Sequence, residues 1–260
     1  MSTKGLPLAR LIATVIVLTA VTSVIMLIPD WNGEQASTAA DDIDRLLDVM
    51  IVLSSFVFSI VMVMLGYAIY KWRAKPGDES DGEPIHGNTR LEIAWTVIPT
   101  VIVLFGAAYS WIVLDNIEAK DADRMPLNVT AQQFAWSFEY PEQDIVADEL
   151  HVPVDQQLEI TLRAEDVLHS FWVPEWRIKR DLVPGAPGAS IADEIVITPD
   201  VIGSYSVVCT EYCGTGHATM RVPVVVESEE DFLAWVAKQG KAEIDGARGF
   251  EQDPNGPTVE

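Results

Sequence analysis

The sequence predicts a membrane-anchored all-β protein: a two-helix transmembrane hairpin, preceded by a further apolar segment and followed by a Greek-key β-sandwich. Three observations predict it. Long apolar runs occupy residues 11–28, 46–70 and 93–114. From Asp115 onward the chain turns polar, and its apolar residues recur with period two in short stretches. Pro153, Pro184-Gly185, Pro187-Gly188, Pro199 and Gly203 punctuate those stretches, as turns do between short antiparallel strands.

The first run, 11–28, follows Lys4 and Arg10, a pattern shared by signal peptides and by a first membrane helix starting in the cytoplasm. Thr38-Ala39-Ala40 has the small residues of a leader cleavage site. It lies far beyond the apolar core, which favours a retained or slowly processed helix in the segment 1–30. The runs 46–70 and 93–114 each have the length to cross ~30 Å of hydrocarbon at ~1.5 Å per residue, which makes 46–114 a hairpin. Its loop carries Lys71, Arg73, Lys75 and Arg90, whereas the chain after Leu114 opens with acids. The positive-inside rule therefore places the loop in the cytoplasm and exports residues 115–240. Tyr67, Tyr70, Trp72 and Trp95 fall at the cytoplasmic ends, where amphipathic rings settle among headgroups.

Strands are expected at 127–134, 150–154, 158–162, 194–197, 204–208 and 220–226. Ser228-Glu229-Glu230-Asp231 reads as a capping box opening a helix that buries Phe232, Leu233, Trp235 and Val236 and stops at Gly240. The tail 241–260 has almost no apolar residues and is expected to be disordered. No internal repeat is present.

Net charge is −22, from 39 acidic against 17 basic residues in a 260-residue chain. Such an excess argues against nucleic acid or an anionic lipid surface as the main partner and favours a cationic one. Solubility of the exported part, or a salty habitat, would explain the same excess. The two cysteines, Cys209 and Cys213, are too few for a disulfide framework.

The segment that carries chemistry is Cys209-Thr-Glu-Tyr-Cys213-Gly-Thr-Gly-His217-Ala-Thr-Met220, with His169 some way upstream. Two thiols, two imidazoles and a thioether form a soft donor set suited to copper. Gly214 and Gly216 let the loop fold back so that Cys213, His217 and Met220 converge while Cys209 arrives from the preceding strand. A Cys209–Cys213 disulfide is open to an exported pair but leaves His217 and Met220 unexplained. A tetrahedral zinc site accounts for the cysteines and histidines but not for the methionine. Taken singly, His169 would be an ordinary polar residue and Met220 core packing. Their joint spacing is what favours copper.

The motif C-x-E-x-C-x-x-x-H-x-x-M, with Leu168-His169-Ser170-Phe171 upstream, resembles subunit II of cytochrome c oxidase. The resemblance runs from about Leu46 to Gln239 and implies a cupredoxin-like fold for the exported part. It implies a dinuclear CuA centre of two copper ions bridged by Cys209 and Cys213, each ion with one imidazole, from His169 or His217. Met220 and the carbonyl of Glu211 would be weak ligands. It also implies that the Glu211 side chain shares a magnesium ion with subunit I. Asp181 resembles a residue facing the same boundary, although Ala186 stands where many relatives carry Arg.

Glu92, in Glu92-Ile-Ala-Trp95-Thr-Val-Ile-Pro99, suits a helix N-terminus through the macrodipole alone. The resemblance adds a place at the mouth of a proton path, the K pathway, into subunit I. Partners implied are subunit I, subunit III and cytochrome c or a similar carrier, at a bacterial plasma membrane. Acids at Asp115, Glu118, Asp121, Asp123, Glu139, Glu142, Asp144, Asp148 and Glu149 would steer a basic donor. Trp136 and Phe134 are the candidates for admitting the electron, and Phe134 stands where many relatives carry Trp. A plain core role for both is the alternative. There is no Cys-x-x-Cys-His, hence no fused c-type haem, and His86 and His151 receive no role.

The function so implied is electron transfer into an aerobic, proton-translocating haem–copper oxidase. A membrane-anchored copper-binding or copper-delivery protein is the alternative, and it would leave Glu92 without a purpose. A quinol oxidase subunit would lack the copper ligands, and nitrous oxide reductase would need a propeller for which the chain has no room.

Overall fold

The computed structural model describes residues 8–29, 31, 33–74, 76–77, 79, 84, 86–185 and 193–250, with residues 240–250 described as backbone. The chain forms two units, one from Met1–Trp31 and Ile43–Leu114, the other from Asn32–Asp42 and Asp115–Glu260.

In the first unit, α1 (Leu8–Leu27), α2 (Thr38–Trp72) and α3 (Thr89–Ile117) are each long and apolar enough to cross a membrane. Helix α2 starts well before the apolar run at Leu46, because Asp41 in its first turn suits the helix dipole. Ser23 of α1 and Ser55 and Ser59 of α2 are buried, small side chains of the kind that let membrane helices approach closely. Helix α3 opens on a reciprocal cap. The Leu91 amide donates to Asn88 Oδ1 at 3.2 Å, and the Asn88 amide donates to Glu92 Oε1 at 3.2 Å. The helix continues through Pro99, which removes one backbone donor.

The second unit is a sandwich of two five-stranded sheets. One runs in the order β3 (Ile145–Ala147), β2 (Ala135–Tyr140), β1 (Met125–Gln132), β5 (Leu158–Ala164) and β8 (Asp193–Ile197). The other runs β4 (Leu150–Pro153), β10 (Arg221–Glu227), β9 (Gly203–Cys209), β6 (His169–Val173) and β7 (Ile178–Leu182). Two pairs are parallel, β1 with β5 and β4 with β10, and the others are antiparallel. Period-two alternation sends Leu127, Val129 and Ala131 of β1 and Leu158, Ile160 and Leu162 of β5 into the core, where they meet Phe138, Phe171, Val207 and Val224.

The expected strand at 127–134 is β1, which ends at Gln132 ahead of a reversal at Gln133-Phe134. Strands β2, β3, β6 and β7 lie outside the expected set. The capping box does open α4 (Glu229–Phe250): the Asp231 amide donates to Ser228 Oγ at 3.1 Å. The expected stop at Gly240 is not observed, since the helix continues to Phe250 through Lys, Ala, Glu and Arg, all good helix formers. The expectation of disorder over 241–260 is corrected to that extent, and 251–260 lie outside the described residues. Phe232 and Trp235 pack on Tyr140, at centroid distances of 6.2 and 5.3 Å.

Residues ahead of the hairpin belong to the sandwich. The Ala36 amide donates to the Glu175 carbonyl (2.9 Å), Thr38 to Thr198 (3.0 Å), and Ser37 Oγ to the Trp176 carbonyl (2.9 Å). The Arg177 guanidinium donates to the carbonyls of Gly33 and Glu34 at 2.8 and 3.0 Å. Ala36, Ser37, Ala39 and Ala40 are buried as a result, so the Thr38-Ala39-Ala40 segment sits inside folded structure.

Candidate metal centre

The site is built where β6 and β9 meet at one end of the sandwich. Phe171 of β6 pairs with Cys209 of β9, and this register brings His169, two residues before Phe171, beside the thiol. His169 Nδ1 lies 3.8 Å from Cys209 Sγ, and Cys209 Sγ lies 3.8 Å from Cys213 Sγ. Beyond Cys213, His217 Nδ1 is 3.7 Å and Met220 Sδ 3.8 Å from its sulfur. The Glu211 carbonyl completes the ring, 3.3 Å from Cys209 Sγ. His169, Cys209, Cys213 and Met220 are all buried, and donor atoms of the first three lie within 4.8 Å of one another.

Backbone bonds fix the loop that carries these groups. The Cys209 amide donates to the Met220 carbonyl at 3.1 Å, closing the loop at its base. The Thr210 amide donates to the Ser170 carbonyl at 3.2 Å, tying it to β6. Gly214 adopts φ +135°, a conformation that side chains rarely take.

Three features were not read from the sequence. Asp166 accepts from His169 Nε2 (2.8 Å), the Gln133 amide (2.7 Å) and the Val167 amide (2.6 Å). With Nε2 donating, the lone pair of His169 is on Nδ1, facing the sulfurs. Burial opposes ionisation of Asp166, but the bonds from His169, Gln133 and Val167 outweigh it and hold the carboxyl below the usual range. Gln133 Nε2 also donates to the Cys213 carbonyl, at 2.5 Å. Lys179 Nζ lies 2.7 Å from Asp181 and 3.8 Å from Glu211, so the two acids at the expected magnesium position share one ammonium. That contact holds Asp181 below the usual carboxylate range, with help from Ser170. Asp166, at D-x-x-H spacing, left a local trace; Gln133 and Lys179 left none.

The cysteines are free rather than joined, at a separation far above the ~2.05 Å of a disulfide. Burial, then the hydrogen bond and charge of Cys209, pushes the Cys213 thiol up to about 11. A metal bound here must therefore displace that proton. Two sulfurs flanked by one imidazole each, with a thioether and a carbonyl at the margin, fit copper in kind and number. Trp136 is buried edge-on to His169, with centroids 6.5 Å apart, while Phe134 is 39% exposed. Glu92 is engaged in the cap of α3. Ala186 lies outside the described residues.

The steering acids are distributed unevenly. Asp121 and Asp123 bond with Gln157 and Gln156 just ahead of β5, and Glu139, Glu142 and Asp144 surround the turn from β2 to β3. Along β1 that end is roughly 26 Å from Gln133 at ~3.3 Å per residue. Near the loop the acids are Asp166, Asp181 and Glu211.

A membrane hairpin joined to a β-sandwich that presents two thiols, two imidazoles and a thioether at one end defines a membrane-anchored copper electron-transfer protein. The transmembrane domain of cytochrome C oxidase subunit II matches residues 29–113, and the periplasmic domain of the same subunit matches residues 144–229. Cytochrome c oxidase subunit 2 of Thermostichus vulcanus is 30% identical over 273 residues, covering 82% of this chain and 81% of that protein. The subunit 2 of Alkalihalophilus pseudofirmus is 34% identical over 214 residues, covering 80% and 60%. The solved periplasmic domain of subunit II of Bradyrhizobium japonicum cytochrome oxidase is 25% identical, covering 48% of this chain and 98% of that one, with TM-score 0.41.

This chain belongs to the cytochrome c oxidase subunit II family. It is an integral membrane subunit of a haem–copper oxidase with its β domain on the periplasmic side, and copper is the metal its family implies. The copper-delivery alternative falls with that membership.

Proposed function

We propose that this subunit receives electrons from cytochrome c or a comparable small carrier at a two-ion copper site and passes them to the haem of subunit I. His169, Cys209, Cys213, His217, Met220 and the Glu211 carbonyl would hold the ions. The observation that carries the reading is the convergence of His169, Cys209 and Cys213 in a buried cluster, with His217 and Met220 against the second sulfur. When bound, copper supplies a one-electron couple.

The protein's contribution is to keep the donors still. The pairing of β6 with β9 fixes His169 against Cys209, and the Cys209–Met220 backbone bond fixes the loop ends. Asp166 sets the tautomer and tilt of His169 before any metal arrives. Burial of the sulfurs excludes water, so little solvent has to rearrange when the charge of the site changes. Donor atoms that move little between charge states keep the cost of electron exchange low. Phe134, exposed, and Trp136, buried beside His169, would be the residues through which an electron is admitted.

Glu211, with Lys179 and Asp181 beside it, would contribute a carboxylate to a magnesium ion shared with subunit I. Glu92 would stand at the mouth of the K pathway, and subunit III would complete the complex. Electron paramagnetic resonance of the full-length chain, purified with copper, tests the central claim. A hyperfine pattern from two equivalent copper nuclei is expected. A mononuclear pattern, or a Cys209–Cys213 disulfide in the loaded protein, refutes it.

A further inference from the structure

We infer that Gln133 is a positioning residue for the copper loop, coupling its two arms to the reversal between β1 and β2. Gln133 lies at the surface, yet both of its N–H groups are turned toward the site. Its side-chain amide donates to the Cys213 carbonyl at 2.5 Å, and its backbone amide donates to Asp166, which in turn holds His169. One residue thus grips the loop bearing Cys213 and His217, and also the carboxylate that orients the imidazole from the other sheet.

The neighbouring residue tightens the same grip. The Phe134 ring covers Gly214 and Gly216 so closely that a Cβ at Gly216 would lie 2.5 Å from the ring and one at Gly214 3.1 Å from it. A Cβ at Gly214 would also lie 2.8 Å from Gln133 Nε2. The glycines are therefore required by close approach of the turn as well as by backbone conformation. Residues 133–134 act as a clamp over 213–216, held in place by Asp166 on the far side.

Without the side-chain donor, the Cys213 carbonyl loses its partner and the peptide between Cys213 and Gly214 is free to rotate. That rotation shifts Sγ of Cys213 relative to Cys209, and the two ions cease to be equivalent. The clamp itself is a property of the chain without metal; only its spectroscopic consequence depends on the copper reading proposed above.

The test uses the full-length chain in detergent, with Gln133→Met and Gln133→Glu, which keep the side chain's length and remove its donor, and Gln132→Met as a control. In metal-free protein, amide hydrogen exchange in peptides covering 210–219 is expected to quicken about three- to tenfold in both Gln133 variants, with β5 unchanged. After copper loading, both are expected to show unequal hyperfine couplings at the two nuclei, and the control to match the parent. Exchange and hyperfine pattern both equal to the parent's would overturn the inference. So would exchange that rises equally in β5 and the loop, because that describes general destabilisation. A parent protein without a two-nucleus spectrum sinks the copper reading instead and leaves the exchange comparison to decide on Gln133.

Discussion

Removing the carboxylate behind His169 gives the sharpest measure of how far the protein prepares its own ligands. Asp166→Ala takes away the acceptor for three donors: His169 Nε2 at 2.8 Å, the Gln133 amide at 2.7 Å and the Val167 amide at 2.6 Å. His169 is wholly buried, so its N–H has no solvent to turn to, and the ring is free to tip or to switch tautomer. Loss of such an outer partner typically lowers metal affinity 10- to 100-fold, or ~1.4–2.8 kcal/mol. The upper half of that range is expected here, because the same substitution also releases the turn at Gln133. Asp166→Asn keeps an acceptor of the same shape without its charge, and charge-assisted bonds are about twice as strong as neutral ones. It should lose about half as much free energy. The assay is competition for copper between the full-length protein and a chelator of known affinity. An Asp166→Ala protein within twofold of the parent, or an Asn variant weaker than the Ala variant, refutes the reasoning.

Further outcomes follow from the same geometry. The Cys213 thiol, pushed up to about 11 chiefly by burial, is protonated at neutral pH. Copper affinity should therefore gain about tenfold per pH unit from this proton alone and level off only as pH approaches 11, which a chelator titration between pH 6 and 9 will follow; a flat profile contradicts it. In the metal-free chain the sign reverses, since a raised thiol contributes stability at neutral pH that is lost as pH climbs above its ordinary value near 9 toward 11. Glu92→Gln should leave the copper spectrum untouched and slow proton-coupled turnover of the assembled oxidase. Turnover equal to the parent's would reduce Glu92 to its cap on Asn88.

Much of the proposed metal site is legible in the sequence because five of its six candidate donor groups fall within residues 209–220, a single loop. His169 is legible as the second imidazole of a soft donor set, but what joins it to the loop is the pairing of β6 with β9, which no local pattern announces. The hairpin of β6 and β7 escapes for a related reason, since its turn runs through Pro174–Trp176 and an Arg177 at φ 60°, where no glycine gives warning. The reversal at Gln133-Phe134 likewise has neither Gly nor Pro, so the expected strand runs on to Phe134 and β2 goes unannounced. The helix beyond Gly240 is hidden because a polar segment with few apolar residues reads as disorder, although Lys, Ala, Glu and Arg favour a helix. The acids named for steering are conspicuous as a run in sequence, but Asp121, Asp123, Glu139, Glu142 and Asp144 gather away from the ligand loop.

The short stretch upstream of the hairpin has a practical corollary. Because Ala36, Ser37, Ala39 and Ala40 fill space beside Trp176 and Thr198, the water-soluble half of this subunit is encoded in two separate places along the gene product. A recombinant piece beginning after the second span would lack one wall of its own interior and leave Arg177 reaching toward carbonyls no longer there. A well-behaved soluble version needs residues 33–42 grafted back through a designed linker. Proteolytic trimming in the cell would have to stop short of Gly33 to leave that wall standing.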